Sequence, residues 1–537
     1  MNEDLVNESQ QPPEGWTRRR FLSTSAMGLA VVGVGGSLAA CSSSGTPGPT
    51  DTASGGASAT PKKGGTLRVG ASGGATTDTL DPQNWATAVD QLRNHQLFDT
   101  LVTLAPDGSP QLSLATSITP NSDATEWTIK IPADITTHAG KPFTADDVLY
   151  SFQRIVSNKY AGAAVLGPAD LKSSKVVDST TVLLKYPTPY SILVESLSLD
   201  FFGMVPRGFD PKKPDGTGPF KYKTFTPGVE STFVRNDNYW QSGKPYLDQV
   251  VTININDESA QVAGLQSGQF DVITQLSAGS VAALQGGEFT VDIQKSGGWV
   301  PFTMHTGLAP FSDVRVRQAF RLIVDRKQML EQVFGGYGEV GNDVMSPFDP
   351  SYPTDLPQRE QDIAQAKSLL KAAGQENLSV EMVTKPATAG EVAMTQVFAT
   401  QAKDAGVNVK ITQQAVGDFY TTSYLKVPFA TDYGPSNLYL VNAAQLLLGD
   451  VSFFNATHFN DPEYNSLYKT AISTVDLPKR ADVIHQMARI DYDRGGYIVP
   501  LFTPAIQAYT SKLGGIVKPC TTGLTPGNAD FANFWLG

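Results

Sequence analysis

Cysteine is almost missing. The 537 residues hold two, Cys41 and Cys520, and if the first is spent on another task the second cannot close an internal disulfide. Histidine is scarce as well: there are five, at positions 95, 138, 305, 458 and 485, with no H-E-x-x-H and no C-x-x-C spacing. A zinc or catalytic metal site needs several such ligands at short spacing, so none is expected, and no cofactor is implied. Basic, aromatic-interleaved stripes are lacking, and the net charge of −11 argues against nucleic acid as a partner. After residue 40 no long apolar run occurs, and no repeat at a solenoid period is found.

Positive charge is concentrated where it has a use. Arg18, Arg19 and Arg20 precede the apolar, Gly- and Ala-rich run from Phe21 to Ala40. Charge before an apolar run is the layout of a targeting segment. The order Thr17-Arg18-Arg19-Arg20-Phe21-Leu22 resembles a twin-arginine export signal. The run ends Leu38-Ala39-Ala40-Cys41, which resembles a bacterial lipoprotein box and makes Cys41 the expected lipidation site. A retained membrane anchor is the alternative for a run of this length. Residues 42–63 are rich in Ser, Gly, Thr and Ala with no apolar periodicity. They read as a flexible tether with a reach of about 25 Å, which would hold a folded body outside the membrane.

The body from Gly64 onward is long enough for two or three domains. "EWTIKIP" places Trp127, Ile129 and Ile131 on one face, as a strand does. "FTADDVLYSFQRI" opens with Thr144 three residues before Asp147 and then repeats Val148, Phe152 and Ile155 at helical spacing. In "FSDVRVRQAFRLIVDRKQML", Val316, Ala319, Phe320 and Ile323 share a helical face, and Arg315, Arg317 and Arg321 lie off it as solvated or ion-paired groups. From Asp362 to Thr412 the pattern reads helix, strand, helix, strand, with Gly374 and Gly406 closing the helices. That order implies parallel strands joined by a crossover, whose ligands sit beyond the carboxyl ends of the strands.

Several segments together resemble one family: "DTLDPQ", "QLFDTLV", "WTIKIPADITTHAGKPFTADDVLYSFQRI", "GTGPFKYKTFTPG", "RNDNYW", "DVRVRQAFRLIVDRKQML" and "GGYIVPLF". In this order, over nearly the whole body, they are similar to the extracellular solute-binding proteins of ABC transporters that take dipeptides, oligopeptides or nickel. The resemblance implies an α/β, two-lobe periplasmic-binding-protein fold with hinge strands and an extra subdomain on lobe I. Lobe I would comprise 64–298 plus 505–537, and lobe II 299–504. It implies no enzyme activity. A solute, a peptide first, would be captured by lobe closure and delivered to ABC permease subunits by a monomer that is lipid-anchored on the outer face of the bacterial cytoplasmic membrane.

The same resemblance nominates site residues. Asp432 and Tyr433 in "ATDYGPSN" match the segment where peptide-binding members place an aspartate that pairs with the ligand's α-ammonium. The tryptophan often found shortly before it is missing here. Trp299 and His305 fall on the first hinge strand, Trp85 follows "DTLDPQ" at the cleft edge, and Asp200 with Phe201 aligns with another cleft segment of lobe I. Trp240 is expected to be structural. An oligosaccharide, an opine or a metal chelate remains open as the solute. An exported hydrolase or a ligand sensor is the alternative of another class.

Overall fold

Leu67 and Val69 are fully buried on one face of the strand Thr66–Ala71, and this strand is the centre of an eight-stranded sheet. The structure is a computed structural model that describes residues 60–518 and 529–537, apart from 73, 86, 287, 416, 417, 450, 451 and 453. The arginines 18–20, Cys41, the tether up to residue 59 and Cys520 lie outside the described residues. Thr66–Ala71 pairs in parallel with Gln249–Asn254 and Val272–Ile273. The sheet continues on one side to Glu230–Arg235 and Phe220–Thr226, and on the other to Leu501–Thr510 and Phe289–Trp299.

A four-stranded antiparallel subdomain leaves this lobe at Ser117–Pro120, Glu126–Lys130, Lys175–Asp178 and Thr181–Lys185. Trp127 and Ile129 are buried on it as the alternation requires. The helix Ala145–Ser157 begins with the capping box of Thr144 and Asp147 and buries Val148, Phe152 and Ile155.

Three of the family-like segments meet at one buried carboxylate. Asp99 of "QLFDTLV" accepts from Thr217 Oγ1 at 2.7 Å, Trp240 Nε1 at 3.0 Å and Tyr239 OH at 2.9 Å. Burial raises the Asp99 pKa, and the three donors work against that rise. Trp240 is thus structural. Replacing Asp99 with alanine strands these donors, so a loss of about 3 kcal/mol is expected, read as a lowered unfolding midpoint.

The second lobe is built on a five-stranded sheet in the order Asn408–Gln413, Ser379–Thr384, Phe429–Thr431, Phe302–Met304, Tyr497–Ile498. Ser379–Thr384 runs parallel to both of its neighbours, with the helix Glu391–Asp404 between it and Asn408–Gln413. This is the strand, helix, strand unit expected from the spacing.

The chain passes from the first sheet to the second at Val300–Pro301 and returns at Val499–Pro500, and both valines are buried. Leu501 to Pro504 therefore pair within the sheet of lobe I, a few residues earlier than the 504/505 boundary read from the sequence.

The arginines of "DVRVRQAFR" divide in their roles. Arg315 pairs at the surface with Asp313, as expected. Arg317 and Arg321 do not face solvent: both are buried. Arg321 donates to the carbonyls of Asp491, Tyr492 and Tyr497 at 2.7–3.0 Å. Arg317 donates to those of Arg494 and Gly495. The helix Leu477–Arg494 ends there, and its last carbonyls, with the partial negative charge of the helix terminus, are what draw the two guanidinium groups inward. Beside them Asp343, fully buried, accepts two bonds from Arg326, one from Arg359 and one from the backbone N–H of Val499 at the return crossing.

Candidate functional site

The carboxyl ends of Ser379–Thr384 and Phe429–Thr431 point to the same side of lobe II, next to the first crossing. There Asp432, 2% exposed, donates its backbone N–H to Pro301 O at 3.3 Å. Behind it lies Lys385, whose side chain is fully buried. Its ammonium donates to Glu391 Oε1 at 2.7 Å and to Thr431 O at 3.1 Å, and sits 4.1 Å from the centre of the Phe419 ring. Glu391 opens the helix Glu391–Asp404, so the helix N-terminus adds to its stabilisation. Its two oxygens also accept from Thr431 Oγ1 and from the backbone N–H groups of Ala387 and Thr388. Asp432 Oδ1 is 3.9 Å from the lysine nitrogen, beyond hydrogen-bond range. Lys385 thus bonds Glu391 and faces Asp432. Phe419, Tyr420, Tyr424 and Tyr433 form an aromatic wall along it.

Trp299 belongs to this neighbourhood, as part of the hinge packing. It is 2% exposed, and its ring stands edge-on to Tyr497 at 5.3 Å. Its backbone exchanges two hydrogen bonds with Gly434. A Cβ on Gly434 would fall 1.9 Å from the indole, so only glycine lets the backbone after Asp432 reach this ring. Gly434 is thereby explained by its contact with the hinge.

His305 is carried away from the group. Its N–H is bonded to Pro428 O, at the opposite end of the strand pair from Asp432, about 13 Å along the strand from Pro301 at 3.3 Å per residue. There it stacks on His458 with ring centroids 4.0 Å apart. Burial and the neighbouring His458 push its pKa down to about 4. The sequence grouped it with Trp299 on the hinge strand; the length of Phe302–Met304 sets the two at opposite ends of it.

Trp85 and Asp200 come together on lobe I. Trp85 Nε1 donates to Asp200 O at 3.2 Å, and its ring stacks on Phe201 at 4.6 Å. The Asp200 carboxylate meets His95 Nε2 at 2.9 Å and also Gln91. Gln91 and His95 are four apart on the helix Ala88–Leu97 and so share a face. Leu199, next in the chain, packs against Leu438 and Val441 of lobe II, which puts this group at the edge of the inter-lobe space. A small pocket lies in that space, lined by Leu104 and Gly108 on one side and by residues 346–348 and 436–438 on the other.

Sequence reasoning missed Lys385, Glu391 and His95. The first two are six residues apart on a strand end and a helix start, a spacing with no signature of its own. Among the described residues no group of three or more His, Cys, Asp and Glu side chains is arranged to hold a metal ion, and no helix is long and apolar enough to cross a membrane.

Residues 109–434 match the bacterial extracellular solute-binding proteins, family 5 middle region. The chain belongs to that family. Family 5 proteins are substrate receptors of ABC transporters and not enzymes, and the chain is a receptor of that kind. It is 30% identical to the oligopeptide-binding protein AppA of Bacillus subtilis over 331 residues, which is 58% of this chain and 60% of that one. It is 25% identical to heme-binding protein A of Haemophilus influenzae over 467 residues, 79% of this chain and 85% of that one. The crystal structure of NikZ from Campylobacter jejuni in complex with Ni(L-His) superposes with a TM-score of 0.76 at 19% identity, covering 88% of this chain and 99% of that one. That likeness speaks for the family 5 fold alone.

Proposed function

We propose that this family 5 protein is a membrane-tethered receptor that captures a small solute with a cationic end by lobe closure, a dipeptide or oligopeptide first, and delivers it to the permease subunits of an ABC importer. The observation that carries the reading is the buried carboxylate of Asp432, held beside the first crossing at the carboxyl ends of parallel strands. A carboxylate in that place gives an ammonium a charge-assisted bond in a site of low dielectric. A solute that also touches lobe I stabilises the closed arrangement through contacts the open one lacks. Trp85, Asp200 and their neighbours His95 and Phe201 are the lobe I side of that contact. The arginines 18–20 and the Leu-Ala-Ala-Cys box support export and a lipid on Cys41. A second reading, an oligosaccharide, is favoured by the Trp85–Phe201 stack beside a carboxylate, since a sugar face lies well on such a ring.

The test is thermal unfolding of the protein starting at Pro61 against defined pools of short peptides, oligosaccharides and metal chelates, with recovery of each pool by mass spectrometry. A ligand at about 100 times its Kd adds about 2.7 kcal/mol. A raised midpoint with peptides recovered intact is the expected result. A shift with sugars or chelates alone overturns the peptide reading, and a stabilising compound recovered cleaved overturns the receptor reading.

A further inference from the structure

The two lobes touch at a second place, away from Asp432. After the subdomain strand Thr181–Lys185 the chain runs to Ser191, whose N–H donates to Ile472 O at 2.6 Å, at the end of the lobe II helix Pro462–Ser473. Arg480, 6% exposed on the next helix, Leu477–Arg494, donates to Ser191 O at 2.8 Å and to Ser191 Oγ at 3.1 Å, and pairs with Glu195. Around this polar node the apolar core is continuous between subdomain and lobe II, from Tyr190 and Leu193 to Tyr468 and Ile484.

Leu477–Arg494 has 18 residues, so it spans about 27 Å at 1.5 Å per residue. Its first turns hold the subdomain through Arg480. Its last carbonyls are held by Arg317 and Arg321, and Arg321 also grips Tyr497 O beside the return crossing. One rigid element therefore joins the inter-lobe contact to the hinge. A rotation of the lobes at the crossings would move the helix that carries Arg480 relative to Ser191 and Glu195.

Apolar packing alone sets no register between two faces, and the polar node within it does. Guanidinium and carboxylate are re-solvated on opening, and the pair registers the two faces on closing. Breaking one partner in place is far more costly than removing both.

We infer that Arg480, Glu195 and Ser191 form a closure latch, a set of positioning residues that govern the balance between closed and open lobes without touching the solute. The inference rests on the receptor reading only for its consequence, tighter retention of solute; the latch itself is tested with no solute present. Hydrogen exchange of the full chain, followed by mass spectrometry, reads it directly. In Arg480→Met, exchange at residues 190–199 and 466–484 is expected to rise about tenfold or more, with the strands 66–71 and 379–384 unchanged. Arg480→Lys, which keeps the charge and donors for both Ser191 O and Glu195, is expected to keep a large part of the protection that Arg480→Met loses. Unchanged exchange at both faces in Arg480→Met, a rise over the whole chain, or an Arg480→Lys variant as unprotected as Arg480→Met would each overturn the latch. Failure to find a peptide solute would leave these exchange results as they stand.

Discussion

Asp343→Asn is expected to lower the stability of lobe II by about 3–5 kcal/mol, the range for leaving a buried charge without its partner. The carboxylate is fully buried and is the shared acceptor of Arg326 and Arg359. An asparagine of the same shape keeps one acceptor oxygen and brings an N–H2 toward two guanidinium groups that cannot leave. It also weakens the bond from the N–H of Val499, so the return crossing loosens with the core. Burial pushes the Asp343 pKa up, but Arg326, Arg359 and Arg321 together overcome it and hold the carboxyl below its ordinary value. A depressed folded pKa gives stability that is present above the unfolded carboxylate range near pH 4 and is lost as pH falls through the folded value. The difference between wild type and variant should therefore be full at pH 7 and shrink only under acid conditions. Urea midpoints at pH 7 and pH 3.5 check both points. Equal midpoints at pH 7 would mean that the arginines are satisfied by carbonyls alone.

Asp432→Asn is expected to weaken binding of a solute with a free ammonium by about 100-fold or more, since removing one side of a buried charge pair costs about 3 kcal/mol. The fold should survive. The bond from Asp432 N–H to Pro301 O is made by the backbone, and the chief partner of Lys385 is Glu391. Calorimetric titration with the peptide found by the stabilisation screen, and with the same peptide blocked at its amine, separates the contributions. The wild type should lose the blocked peptide, and the variant should bind both equally weakly. If Asp432→Asn binds the free peptide as well as the wild type does, the cationic end lies elsewhere, and the lobe I group of Trp85 and Asp200 becomes the next position to change.

Much of the architecture is legible in the sequence because it is written in short-range pattern. Period-two burial makes a strand of Trp127 and Ile129, and the Thr144–Asp147 spacing starts a helix; both are local events, and the structure repeats them. The strand, helix, strand unit from Ser379 to Gln413 likewise follows from alternation, helical spacing and the glycine that ends the helix. The arginines of "DVRVRQAFR" could be placed on a helix, and their position off its apolar face was read as solvent exposure. Their burial depends on another helix, Leu477–Arg494, ending against them about 170 residues later in the chain, and periodicity within one helix carries no trace of that.

The site divides in the same way. Asp432 and Trp299 are neighbours because two segments more than a hundred residues apart are paired at Gly434, and family-like wording was enough to nominate both. Lys385 and Glu391, the charges that set the character of the site, bear no signature in the sequence. By itself the sequence determined the elements, their order and the family, since these rest on spacing and local propensity. Only the tertiary structure decided which charges meet in the interior, that His305 stands at the far end of the strand pair from Asp432, and that Arg480 reaches Glu195 across the lobes. Electrostatic partners are chosen by burial and distance in space, and those are properties of the packed chain.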